Sequence, residues 1–311
     1  MNKVIITEEM LFRQRLCEYA KKKGVIKAAR KYQTNRMFVY RQLKKWDGTV
    51  KSLSLRSRRP KTLPNKHTEE ELHLISIMYL EHGLYGNAEL YVRLKECGYN
   101  RSFGSMCKQI RAKGLKAVKR KKKSYTKYNN ITGQYIGDKV QIDIKYVPQE
   151  CIMFPSYGKK YYQITAIDEY SRKRILEIVE EKNTFETGKF LEQLESKFDF
   201  PIHTIQVDNG YEFVNDKEVT NRKTYFEEVA EKKGYIIKRI RPYSPWQNGK
   251  VERSHREDEK ILYANNKFYT KNELINAVKI HQDRYNNTAK ICLNFKSPCE
   301  VAEENKLLLD L

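Results

Sequence analysis

Three acidic residues of this 311-residue chain stand where they could do chemistry together. Asp143 lies in QIDIKYV between Ile142 and Ile144. Asp208 closes HTIQVD ahead of an Asn-Gly pair. Glu252 follows PWQNGKV. A carboxylate inside a core strand costs desolvation energy unless something pairs with it. Three carboxylates drawn together make a poor proton shuttle but a good site for hard divalent cations. Mg²⁺ takes carboxylate and water oxygens and completes its shell with substrate phosphate. Two such ions can clamp the attacking and leaving oxygens of a phosphodiester displacement. Each acid also has a plainer reading. Lys145, on the same strand face, could pair with Asp143. Asp208 could simply form a turn, and Glu252 could be favoured by a helix dipole.

Each acid needs an element to carry it. From about residue 134, GDKVQIDIKYV alternates with period two and predicts a strand. KKYYQITAID and RKRILEIVEE predict two more, with a turn near DEYSRK. NTFETGKFLEQLESKF predicts a helix, HTIQVDNG a strand, RKTYFEEVAEKKG a helix and YIIKRI another strand. Two prolines and an Asn-Gly pair in RPYSPWQNG then break regular structure before the helix that carries Glu252. This order describes an α/β core over residues 134–266. It sets Asp143 at a strand centre, Asp208 at a strand end and Glu252 at a helix start. A helical tail, 267–311, follows, with Thr270 and Glu273 capping one helix and Ser297, Pro298 and Glu300 opening the last.

The net charge is +22. Residues 1–133 hold 32 Lys and Arg against 10 Asp and Glu, whereas residues 134–311 hold 29 of each. The excess therefore lies wholly in the N-terminal part, as in a polyanion-gripping region joined to a charge-balanced working region. A merely solubilising excess is the plainer alternative. Residues 8–46 predict three short helices, a helix-turn-helix outline over 1–48 with Arg36, Arg41, Lys44 and Lys45 as exposed cations. Residues 49–67 read as a basic linker that lays Arg58 and Arg59 along phosphates. Residues 68–115 repeat the three-helix theme as a second helix-turn-helix-like domain. Thr68 and Glu71 form its capping box, and Ser102 caps a helix bearing Lys108, Arg111 and Lys113. A second basic linker spans 116–133. An ordinary three-helix bundle with a solvated face is the alternative for each module.

QIDIKYV, TAIDEYSR, VDNGYEF and RPYSPWQNGKVERSHR resemble the DDE catalytic core of bacterial insertion-sequence transposases, a group similar to retroviral integrases. The resemblance covers about residues 134–265, and the helical modules resemble those transposases' DNA-binding region. It implies a multidomain chain: N-terminal all-α helix-turn-helix modules followed by an α/β RNase H-like core. It matches Asp143, Asp208 and Glu252 to the catalytic and metal-binding triad. It implies two Mg²⁺ ions, replaceable by Mn²⁺, with Asp143 bridging them. It also implies end cleavage by water, then strand transfer by the freed 3′-hydroxyl. The partners would be double-stranded DNA, as terminal repeats and target, within a homodimer or larger assembly. Asn248, Lys250, Arg253 and Arg256 would meet that DNA. Members often hold the second Asp and the Glu closer together than the 43 intervening residues found here, and VNDKEVTNRKTY has the polar look of a loop insertion. At the shorter spacing residue 244 is Ser. Glu257 and Glu259 lie one to two turns too far along the helix, and Asp168 is a supporting residue at most. The alternatives are an RNase H-like nuclease without strand transfer, or a non-catalytic DNA-binding protein.

Composition excludes other classes. No apolar run approaches the ~18 residues of a membrane span, and MNKVIITEEM lacks the apolar stretch of a signal peptide. The six cysteines, at 17, 97, 107, 151, 292 and 299, form no CxxC and no zinc spacing with the histidines. A reduced, soluble protein of the bacterial cytoplasm, at the nucleoid, is expected, with no zinc and no membrane partner.

Overall fold

The structure, a computed structural model, describes residues 6–55, 60, 65–115, 133–155, 158–215, 220, 222–242 and 244–309. The chain divides into two compact units, Met1–Lys66 and His67–Leu311. In the first, α1 (Glu8–Lys23), α2 (Val25–Lys31) and α3 (Arg36–Lys45) pack around Leu16, Ala20, Ala28 and Val39. Gly24, at φ 88°, ends α1 and turns directly into α2, a backbone that L side chains rarely adopt. Asn35 opens α3 by accepting from the Phe38 amide at 2.7 Å.

The second unit opens with α4 (Glu69–His82), α5 (Asn87–Glu96) and α6 (Phe103–Ala112) around Ile75, Leu90, Leu94 and Met106. Thr68 and Glu71 form the reciprocal capping box that the sequence predicts, and Ser102 caps α6. The three strands β1 (Lys139–Tyr146), β2 (Tyr162–Asp168) and β3 (Arg174–Val179) run antiparallel. After α7 (Thr184–Phe198) comes β4 (Thr204–Val207), and after α8 (Tyr225–Lys233) comes β5 (Ile236–Arg239). Both later strands run parallel to β1, and the sheet order is β3-β2-β1-β4-β5. A 3₁₀ turn over Pro245–Asn248 leads into α9 (Gly249–Asp258), then a π-turn (Glu259–Tyr263), α10 (Lys271–Asn286) and α11 (Pro298–Leu309). The proline-rich loop is thus partly regular, because Pro245 sits at the first position of its turn, where no amide hydrogen is needed.

The two faces of the sheet differ in kind. Val140 and Ile142 of β1, Ile164 and Ala166 of β2, and Ile205 and Val207 of β4 share an apolar cluster with Phe190, Leu194, Phe198 and Phe226 of α7 and α8. Gly188 lets those helices close up: a Cβ there would meet the Tyr225 ring at 2.3 Å. The opposite face carries the alternate residues, Gln141, Asp143, Lys145, Gln163, Thr165 and Gln206, and it is covered by α9 and α10. The C-terminal tail is therefore a layer of the core. Its Leu274 and Val278 join Leu176, Leu262 and Phe268 in a second apolar cluster.

A buried ion pair pins this second layer. Arg174 of β3 donates to Asp258 of α9 at 2.7 Å, and both side chains are fully buried. Asp258 also accepts from Gln163 Nε2 at 2.8 Å and lies 2.9 Å from His281 Nε2, while Tyr285 stacks on the guanidinium at 3.6 Å. Burial opposes the charge, yet Arg174 and these neighbours hold the Asp258 carboxyl far below the usual carboxylate range. Asp258→Ala leaves Arg174 charged, buried and unpaired, so a loss of about 3–5 kcal/mol is expected in urea unfolding. A loss below about 1 kcal/mol would place Arg174 in contact with water, against its full burial.

Candidate active site

Strand register brings the first two acids together. β1 and β4 are parallel neighbours with Gln141 opposite Gln206. Asp143 lies two residues beyond Gln141 in β1, Asp208 two residues beyond Gln206 just past the end of β4, and the charge of Asp208 acts on Asp143. Asp208 directly follows β4, and its Oδ1 accepts from the Gly210 amide at 3.0 Å, the turn role the sequence allows. Lys145 does not pair with Asp143. Its ammonium bonds Glu259 and lies over the Tyr263 ring, and Asp143 Oδ1 accepts from the Ile144 amide at 2.9 Å.

Two sheet glutamines seat the third acid. Gln141 Oε1 accepts from the amides of Lys250 and Val251 at 3.2 and 3.1 Å, which are donors that a helix start leaves unsatisfied. Its Nε2 donates to the Gln247 carbonyl at 3.0 Å and to Glu169 at 2.6 Å. Gln206 Nε2 donates to the same carbonyl and to Asn248 Oδ1, each at 2.9 Å. Val251, fully buried, packs with Ile167 and Tyr285 beneath the helix. The first turn of α9 is thus held against the polar face, with Glu252 in it.

The electrostatics report the convergence. Burial, then the charge of Asp208 and that of Glu252, push the Asp143 carboxyl up to about 7. Burial also pushes Asp208 up, with the charge of Glu212 adding to it. Lys182 resists both shifts while bonding Glu212 at 2.7 Å. Among the described residues no group of three His, Cys, Asp or Glu side chains is already drawn in to hold an ion. The donor chemistry still fits one: oxygen ligands, with burial and neighbouring negative charge raising Asp143 and Asp208. His255, one turn beyond Glu252, has its Nδ1 3.6 Å from Asp143 Oδ2, and burial pushes its imidazolium down to about 4.

The other candidates separate into scaffold and surface. Asp168 is fully buried and accepts from the Gly137 amide at 3.0 Å and from the Ser171 amide and hydroxyl at 2.7 Å, as a supporting residue would. Glu259 is taken by Lys145, and Glu257 lies 3.8 Å from Lys290. Asn248 is 3% exposed and bound to Gln206, and Lys250 bonds Glu169 at 2.7 Å. Both help to hold the start of α9. Lys113 donates to the Leu72 carbonyl at 2.8 Å and Ser76 Oγ at 2.7 Å, tying the end of α6 to α4. Arg253 and Arg256 on α9, Lys108 and Arg111 on α6, and Arg36, Arg41, Lys44 and Lys45 on α3 are exposed. Arg58, Arg59 and residues 116–132 lie outside the described residues. Gln141, Gln206, Glu169, Lys182 and His255 were not singled out by sequence reasoning. For Gln141 and Gln206 the available signal was polar residues at alternate positions of otherwise apolar strands.

A carboxyl raised above its unfolded value adds stability while protonated and loses it as pH climbs through the folded value. For Asp143 that window runs from the ordinary 3.8 to about 7. In EDTA, Asp143→Asn is expected to melt above the wild type at pH 8 and level with it near pH 4. Thermal unfolding at both pH values checks this, and a constant difference between the two proteins would contradict it.

Two family models, each described as an integrase core domain, match residues 136–245 and 233–289. A curated relative, the ORF3 protein of Spiroplasma virus SpV1-C74, named as a candidate integrase, is 28% identical over 169 residues. That match covers 51% of this chain and 46% of the relative, so the chain spans less than half the relative's length. Among solved structures, a chain of a simian T-cell lymphotropic virus intasome with PP2A regulatory subunit B56γ is similar at TM-score 0.46 and 14% identity, over 74% of each chain. The catalytic core domain of BIV integrase is similar at TM-score 0.42 and 18% identity, over 56% of this chain and 99% of that one. Residues 136–289, spanned by the two family models, are similar to integrase core domains.

Proposed function

We propose that this protein is a DNA transposase of the insertion-sequence kind. It would bind the terminal repeats of its element, cleave their 3′ ends and join them to target DNA. The observation that carries the reading is the meeting of Asp143, Asp208 and the first turn of α9 on the polar face of an integrase-core sheet. Asp143, Asp208 and Glu252 would hold two Mg²⁺ ions, with Mn²⁺ as a substitute. Those ions supply Lewis acidity and a clamp on the attacking and leaving oxygens. Asp143, on which the charges of both other acids act, would serve both ions. Asp208, pinned through its Gly210 bond, and Glu252, pinned by the seating of α9, would complete one site each. Carboxylates fixed in this way would hold the ions where they could orient the nucleophile, first water and then the 3′-hydroxyl.

The basic first 133 residues suit the substrate. Modules at 1–48 and 68–115 would grip the repeats, with the segments 49–67 and 116–133 following phosphates. A core over 134–266 and a helical tail over 267–311 would complete the chain. Arg253 and Arg256, exposed two turns or less from Glu252, would meet the phosphates beside the scissile bond. Two element ends cut in concert call for a dimer or larger assembly on DNA. The place of work would be the bacterial cytoplasm, at the nucleoid. No helix among the described residues is long and apolar enough to cross a membrane.

Labelled DNA from both flanks of the gene, incubated with the protein and Mg²⁺ or Mn²⁺, should yield cuts at the repeat ends and joined products. EDTA should abolish both. Glu252→Gln should lower the cleavage rate by at least about a hundredfold, while Glu257→Gln should leave it near wild type. Cuts without joining would favour a nuclease, binding without cuts a DNA-binding protein, and an active Glu252→Gln would remove Glu252 from the site. DNA affinity should fall steeply with salt, and Arg253→Ala with Arg256→Ala should flatten the log–log slope by about 1 per lost phosphate contact. An unchanged slope would remove these arginines from the DNA surface.

A further inference from the structure

α9 carries Glu252, whose charge acts on Asp143, and, three residues on, His255. His255 Nδ1 lies 3.6 Å from Asp143 Oδ2, with the imidazole 13% and the carboxylate 23% exposed. The far ring nitrogen, Nε2, is buried with no hydrogen-bond partner among the described residues. A neutral imidazole has one N–H to place. On Nε2 it would be a buried donor without an acceptor, and a bare Nδ1 lone pair would face a carboxylate oxygen. On Nδ1 the same hydrogen points at Asp143 and leaves only a lone pair buried at Nε2.

We propose that His255 is a positioning residue for Asp143: its Nδ1–H holds Oδ2, so that the carboxylate meets the metal ions in one fixed orientation. The inference rests on Asp143 being a metal ligand. At 3.6 Å the contact is longer than a formed hydrogen bond. Such bonds commonly tighten when the site is loaded. Partners of this kind fix ligand orientation, and losing one typically weakens metal binding 10–100-fold.

The test is Mn²⁺ binding by the full-length protein, read as free Mn²⁺ by electron paramagnetic resonance at constant pH. The variants are His255→Asn, His255→Gln and His255→Leu. An Asn amide nitrogen falls near the place of Nδ1, whereas a Gln amide reaches that of Nε2. His255→Asn should stay within about threefold of wild type, with Gln and Leu weaker by about tenfold or more. In an Asp143→Asn background, His255→Leu should cause no further loss. Metal-free melting separates folding from binding, and if Leu fails to fold, the Asn–Gln comparison decides. Wild-type affinity in both Leu and Gln, or an Asn variant as weak as Gln, would overturn the proposal. A wild type that binds Mn²⁺ no better than Asp143→Asn would overturn the metal-ligand reading, and this inference with it.

Discussion

A sheet face built from glutamine, threonine and carboxylate can be buried only if each polar group finds a partner. In this chain the helix start supplies them. Gln141 and Gln206 spend their amides on the backbone of residues 247–251, and that backbone in turn has donors a helix cannot satisfy itself. The need is mutual, so the register of α9 over the sheet is set by hydrogen bonds with little room to slide. Val251 beneath and the Arg174–Asp258 pair at the far end of α9 fasten the same helix twice more. Everything proposed for Glu252 and His255 depends on that seating.

The same arrangement explains why the acids are costly to keep. The scaffold's bonds are nearly all made among themselves: Asp168 with a turn, Glu169 with Lys139 and Lys250, Asp258 with Arg174. Asp143 and Asp208 have little to offset burial beyond single backbone donors and Lys182 at the margin. Among the described residues, Asp143 and Asp208 carry negative charge that burial opposes, whereas Glu169 and Asp258 beside them are matched by cations. That contrast separates a working carboxylate from a structural one, and a divalent cation would resolve it.

Much of this was legible in the sequence. Period-two strands, capped helices and their order led to the α/β core, and the capping boxes at Thr68, Thr270 and Ser297 formed with the partners expected. Local chemistry decides those features, so local residues reveal them. Asp143, Asp208 and Glu252 could be picked out as candidates from their expected places at a strand centre, a strand end and a helix start.

Tertiary structure decided what each neighbour of those acids does. Lys250, Lys113 and Asn248 look like surface groups in a basic sequence, yet their partners come from residues as far as 81 positions away. Lys145 shares a strand face with Asp143 and still pairs with Glu259, because α9 and its π-turn bring a nearer acid across the sheet. Sequence spacing sets which residues share a face. Only the packing of one element on another sets which of them meet, since a hydrogen bond or ion pair is decided within about 4 Å.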